Sequence, residues 1–218
     1  MIITAHSGCD GTAPNSAEFL DHAFATAADA VEADIRADGD TLVLSHDEAG
    51  EGAVTLRSAF LRLKEHPEKL MNCDLKQPGL ERAVYMLAEE IGVEKQLIYT
   101  GEVDPALFLK DDPAFSLVRW YVNINNIVPD LEQQIDHMPV EEAKAALVAI
   151  LEKIKEYHAA GLNWYYRHAE LIWERAEQMR IGISVWTVDD PEVMARLLKT
   201  NADNITTNRV AEILRLKN

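Results

Sequence analysis

Polar residues at the ends of apolar runs mark the first third of this chain as the part that could do chemistry. His6 lies in the run IITAHSG, Glu32 and Asp34 in AVEADIRA, His46-Asp47 at the end of TLVLSHD, and Asp74 and Lys76 in LMNCDLKQ. In a strand, residues two apart point to the same side. Glu32 and Asp34 therefore share a face, and so do Asp74 and Lys76. Several carboxylates turned into an apolar interior would be very costly. At the mouth of a barrel, gathered around a divalent cation, they make sense. Their hard oxygen donors suit Mg2+ or Ca2+ better than Zn2+. Taken alone, a Glu-x-Asp pair is ordinary on an exposed sheet face. It is the ordered set with His6, His46, Asp74 and Lys76 that points to a metal held by Glu32, Asp34 and Asp74.

Strand-like and helix-like segments alternate along the chain and must position these groups. The expected strands are 2–8, 30–37, 70–76, 96–101, 116–124, 162–166, 182–188 and 203–208, with an additional strand at 41–47 after the second. Helical spacing recurs in Leu80, Val84, Leu87, Ala88 and Ile91, and again in Leu147, Ile150, Leu151, Ile154 and Tyr157. Ser16 is expected to cap the first helix. Asp190-Pro191 is expected to open the helix carrying Val193, Met194, Leu197 and Leu198. Asp38-Gly39-Asp40 reads as a turn. Eight strand–helix units average about 27 residues, which suits a compact parallel (β/α)8 TIM barrel; that fold spans ~200–400 residues. An open doubly wound sheet is the alternative. Polar residues at so many strand C-termini favour closure, because barrel active sites lie there. Asn123 and Asp189 join the first set at those ends.

Composition narrows the classes. The chain is 48% hydrophobic and 27% charged, as folded globular proteins are, and it has no Pro/Gly-rich linker, so a single domain over 1–218 is expected. No apolar run reaches the ~18 residues of a membrane span. The start, MIITAHSG, lacks the features of a signal peptide, which points to the cytoplasm. Cys9 and Cys73 form no disulfide framework and read as reduced thiols. A net charge of −16 disfavours nucleic acid and anionic membrane surfaces as partners. It leaves an anionic small molecule open, because a bound divalent ion reverses the local field. His22, His66, His137, His158 and His168 read as surface residues, and Trp120, Tyr121, Trp164 and Tyr165 as core.

In order along the chain, His6-Ser7-Gly8, Pro14-Asn15-Ser16, Glu32-Ala33-Asp34, His46-Asp47, Asp74-Leu75-Lys76, Trp186-Thr187-Val188-Asp189 and Ile205-Thr206-Thr207-Asn208-Arg209 resemble the motifs of the glycerophosphodiester phosphodiesterase family. That pattern has His-Arg-Gly, Pro-Glu-Asn-Thr/Ser, Glu-x-Asp, His-Asp, Glu-x-Lys and a late Trp-Thr-Val-Asn. The resemblance implies hydrolysis of a small-molecule phosphodiester, a glycerophosphodiester, to an alcohol and glycerol 3-phosphate. It makes His6 and His46 the acid–base pair, a role suited to imidazole. It assigns Lys76 to the phosphate and Trp186 to the substrate.

Three departures stand out. Ser7 replaces an arginine that helps hold the phosphate in the family, the Pro14 turn lacks its glutamate, and Asp74 replaces a longer acid. With the arginine gone, Lys76 is the expected phosphate cation, with Arg167 as a second. Two other readings stay open: a related phosphodiesterase acting on a lysophospholipid or other head group, and a non-catalytic barrel that binds a phosphorylated ligand.

Overall fold

A computed structural model of the chain describes residues 1–109 and 115–217. Its strands are β1 (Ile2–Ala5), β2 (Ala30–Asp38), β3 (Thr41–Leu44), β4 (Leu70–Leu75), β5 (Leu97–Gly101), β6 (Arg119–Asn123), β7 (Gly161–Tyr165), β8 (Gly182–Trp186) and β9 (Asn204–Thr207). They run in the order β1-β9-β8-β7-β6-β5-β4-β2-β3, and β1 also pairs with β2. That last pairing closes eight parallel strands into the expected (β/α)8 barrel. The strands fall where the apolar runs placed them, one to three residues shorter at most ends.

The ninth strand, β3, is not a barrel stave. It runs antiparallel to β2, from Ile35 opposite Leu44 to Asp38 opposite Thr41. Only Gly39 and Asp40 separate the two strands, and Gly39 has φ +56°, as tight hairpin turns require. The strand stops at Leu44 rather than running on through His46-Asp47. Ser45 N–H still bonds the Asp34 carbonyl at 3.0 Å, so the hairpin delivers His46 to the barrel mouth.

The surrounding helices are α1 (Ala17–Ala25), α2 (Leu56–Lys64), α3 (Glu81–Ile91), α4 (Leu131–Ile135), α5 (Val140–Glu156), α6 (Tyr166–Ala169), α7 (Trp173–Met179), α8 (Pro191–Leu197) and α9 (Val210–Lys217). Ser16 caps α1, its hydroxyl accepting from Phe19 N–H at 3.0 Å. Asp190 caps α8 by accepting from Glu192 N–H at 2.8 Å. Both caps satisfy donors that the first helical turn leaves free. The alternation lapses once: between β5 and β6 the described residues form only 3-10 turns, at Pro105–Leu107 and Phe115–Leu117.

The large apolar core lies between barrel and helices. Outward-facing Ile3, Val31, Ala33, Cys73, Leu75, Val185 and Ile205 pack among helix residues such as Phe19, Leu20, Phe60, Val84, Leu147 and Met194. Each fully buried aliphatic or aromatic side chain contributes ~1.5–3 kcal/mol. The barrel interior is different. A small apolar floor of Ala30, Ile98 and Tyr121 lies at the strand N-terminal end. Above it runs a polar belt. Thr4 Oγ1 donates to Asn204 Oδ1 at 2.6 Å, Asn204 Nδ2 to Ser184 Oγ at 2.9 Å, Ser184 Oγ to Asn163 Oδ1 at 2.8 Å, and Asn163 Nδ2 to Asn123 Oδ1 at 2.9 Å. Branched aliphatics usually fill this layer. Here buried polar groups satisfy one another across the strands, which makes a polar mouth compatible with a closed interior.

Candidate active site

The β2–β4 register sets Asp34 directly beside Asp74, and Glu32 beside Asn72. Carboxylate oxygens of Glu32, Asp34 and Asp74 lie within 4.8 Å of one another. Each acid is tied down. Glu32 Oε2 accepts from Ser7 N–H at 2.9 Å. Asp34 is held both ways by Asn15: Nδ2 donates to its Oδ2 at 2.7 Å, and its own N–H donates to Asn15 Oδ1 at 3.1 Å. Asn15 reaches this position with φ +55°, a conformation that asparagine tolerates better than most residues. Ser7 Oγ adds a longer bond to Asp34 Oδ2 at 3.3 Å. Asp74 Oδ1 accepts from Thr100 Oγ1 at 2.9 Å.

Lys76 Nζ sits 2.9 Å from Asp34 Oδ1 and 2.5 Å from Asp74 Oδ2. Burial works against its charge, but Asp74 and Asp34 outweigh burial and raise its pKa further. The same contact shifts Asp34: burial alone would raise its carboxyl, yet Lys76 and the Asn15 bond carry it below the ordinary value. Glu32 has no such cation. Burial first, then the charges of Asp34 and Asp74, push its carboxyl up to about 7 despite His6 and the Ser7 N–H. Three acids with one lysine leave an excess of negative charge, the donor chemistry that a hard divalent cation fits.

His6 follows β1 and leans on the end of β9. Its Nδ1 is 2.8 Å from Asn208 Oδ1, and its Nε2 is 3.8 Å from Glu32 Oε2. Burial opposes its protonation, but Glu32, the Asn208 bond, Asp34 and Asp74 together raise its pKa. His46 is far more open, with 68% of its side chain exposed and Nδ1 3.2 Å from Asp47 Oδ1. A cavity of about 400 Å³ takes in His6, His46, Glu32, Asp34, Asp74 and Lys76. All the catalytic and ligand candidates read from sequence thus meet in one hollow, with Trp186 on its wall. Asn123 also lines it, beside Glu102, Asn125 and Glu132. The Trp186 indole N–H is buried without a partner among the described residues, and its ring lies 6.0 Å from that of Tyr165. A second hollow of about 680 Å³ runs between the start of α1 and the loop after β3, and His46 borders both.

Arg167 is a correction. It is exposed, with its guanidinium 5.5 Å from the Tyr165 ring, and it is not among the residues that line the cavity. It follows β7 into α6, whose first turn carries it outward. Lys76 remains the one permanent cation among the described residues lining the cavity. Ser7, Asn15, Thr100 and Asn208 were not expected to hold the site groups. Their partners are remote in sequence, and only the motif fragments around Asn15 and Asn208 hinted at a role. Of the other histidines, His137 and His158 are exposed. His22 pairs with Asp10, His66 stacks on Phe24 and His168 pairs with Asp136.

The fold has close counterparts among solved structures. A glycerophosphodiester phosphodiesterase from Parabacteroides distasonis superposes with a TM-score of 0.72 at 19% identity, covering 99% of this chain and 96% of that one. One from Thermotoga maritima gives 0.67 at 22% identity, covering 99% and 98%. A phosphodiesterase from Oleispira antarctica, solved in complex with the product sn-glycerol-3-phosphate, gives 0.70 at 15% identity, covering 99% and 96%. No family profile and no curated protein matches the sequence. At these identities the likeness is one of fold, and it spans nearly the full length of both partners.

Proposed function

We propose that this protein is a metal-dependent phosphodiesterase that hydrolyses a glycerophosphodiester to an alcohol and glycerol 3-phosphate. The observation that carries the reading is one cavity holding three clustered carboxylates, a lysine and two imidazoles at the C-terminal ends of barrel strands. Glu32, Asp34 and Asp74 would hold a divalent ion, Mg2+ or Ca2+. When bound, such an ion polarises the phosphoryl group as a Lewis acid. The same fold carries the activity in the structures above, one of them with the product of this reaction bound.

The chain's own groups have distinct tasks. An ammonium carries three N–H donors. Two point at Asp34 and Asp74, which leaves the third for a phosphate oxygen. Lys76 thereby takes the place of the arginine missing at Ser7, while Ser7 holds Glu32 and Asp34 instead. As the P–O bond to the alcohol breaks, one imidazole gives its proton to the departing oxygen. The other accepts a proton from the attacking oxygen. His6 and His46 border the cavity from β1 and from the β2–β3 hairpin, both on the edge of β2 away from β4. Trp186 offers its ring to the substrate from the cavity wall.

The substrate is a small molecule, as the cavity size fits. No described helix is long and apolar enough to cross a membrane. We place the protein in the cytoplasm, in keeping with its two buried, unbonded thiols. The test is release of glycerol 3-phosphate from a panel of phosphodiesters, with Mg2+, with Ca2+ and with chelator. It is paired with calorimetric metal titration of the wild type, Glu32→Gln and Asp74→Asn. Metal-dependent release and weakened binding in both variants are expected. Full activity in a chelated, metal-free preparation would overturn the reading.

A further inference from the structure

We propose that Asn208, locked by Asp189, is a positioning residue that fixes the tautomer of His6 and turns its free nitrogen toward the acids. The assignment follows from which atoms can donate. β1 pairs with β9 so that Ala5 lies beside Thr207. The next residues, His6 and Asn208, are therefore neighbours at the barrel rim, and His6 N–H bonds the Thr207 carbonyl at 3.0 Å. Asp189, just past β8, receives three bonds there. Asn208 Nδ2 donates to its Oδ2 at 2.8 Å, Asn208 N–H to its Oδ1 at 2.8 Å, and Thr207 Oγ1 to the same Oδ1 at 3.1 Å.

An ionised carboxylate only accepts. The Asn208 amide must therefore turn its NH2 toward Asp189, and its oxygen is left facing His6. That oxygen also only accepts, so His6 Nδ1, 2.8 Å away, must carry the hydrogen. In neutral His6 the lone pair then sits on Nε2, the nitrogen 3.8 Å from Glu32 Oε2. A flipped amide would set oxygen against the Asp189 carboxylate, losing that bond and placing two acceptors face to face. The ring is thus held in the one tautomer that can accept a proton on its cavity side. A wrong tautomer with intact geometry elsewhere costs a catalytic histidine orders of magnitude in rate.

The kinetic part of this inference rests on the phosphodiesterase reading; the tautomer part does not. The test uses the full chain with Mg2+ present and [15N]histidine labelling, with the His6 signals identified through His6→Gln. Wild type should show Nδ1 protonated and Nε2 bare. Asp189→Asn is nearly isosteric and removes the acceptor-only constraint, so Asn208 is free to flip and His6 should move to the Nε2–H form. Asn208→Ala should give a mixture. In both variants kcat on a natural diester should fall ~10²–10⁴-fold, the usual contribution of an acid–base group, while KM and Mg2+ affinity hold. An unchanged His6 tautomer in Asp189→Asn would overturn the proposal even if kcat fell, because the effect would then be merely structural. A shifted tautomer with kcat within a factor of two of wild type would also overturn it. If no variant and no wild-type sample releases glycerol 3-phosphate, yet the tautomer shifts as expected, the positioning stands and the phosphodiesterase reading fails.

Discussion

Gly101, at the end of β5, lies so close to Asp74 on β4 that a Cβ built on it would sit 2.6 Å from Asp74 Oδ1. The same atom would be 2.2 Å from the Leu75 carbonyl oxygen, and the residue has φ +83°. We predict that Gly101→Ala both destabilises the fold and dislodges Asp74. The left-handed backbone costs an alanine ~1–2 kcal/mol, and overpacking adds ~1–3 kcal/mol. Thermal unfolding should show the loss, and Mg2+ titration should show weaker binding in the folded fraction. Wild-type stability and metal affinity in this variant would refute the packing argument.

The second prediction concerns pH and Glu32. Its carboxyl is raised to about 7 in the metal-free protein, so between the ordinary carboxylate range and neutrality the folded state holds a proton that the unfolded chain has released. Stability falls with pH wherever the folded state binds more protons. The contribution is therefore fully present in acid and lost as pH rises toward and through about 7. Without metal, the wild type should lose melting temperature relative to Glu32→Gln from pH 5 to pH 8, on the order of the shift that this linkage implies. Mg2+ should abolish the difference for the wild type alone. Parallel melting curves for the two proteins across that range would show that Glu32 is not strained by its neighbours.

Lys76→Ala removes the one permanent cation among the described residues lining the cavity. A hydrogen bond to a charged group is worth ~1.5–3 kcal/mol. Glycerol 3-phosphate affinity at fixed Mg2+ should therefore fall roughly ten- to a hundred-fold. Isothermal titration reads this directly. Equal affinity for both proteins would move the phosphate site elsewhere.

The last prediction separates the two histidines. His6→Ala and His46→Ala should each lower the rate on a natural glycerol diester ~10²–10⁴-fold. A nitrophenyl phosphodiester expels nitrophenolate, already stable as an anion, and so needs no general acid. On that substrate one variant should recover most of its rate and the other should not. Steady-state rates of both variants on both substrates decide which is which. Near-normal rates on the natural diester in both folded variants would remove the two imidazoles from the acid–base roles.

Local rules made much of this readable from the chain. Strand alternation put Glu32 with Asp34 because side chains two apart share a face, whatever surrounds them. Ser16 and Asp190 announced helix starts because a cap bonds only two or three residues ahead. The number of apolar runs implied a barrel because each run must be covered. What tertiary structure alone decided are contacts between remote residues. Asn208 meets His6 across 202 positions only because β9 closes on β1. Asn15 clamps Asp34 through a left-handed backbone that no periodicity encodes. Ser7 gained partners where the resemblance suggested only a loss, and Arg167 went to the surface because the first turn of α6 carried it outward. Such contacts depend on register and closure, which are properties of the whole sheet, whereas alternation and caps are properties of a few neighbouring residues.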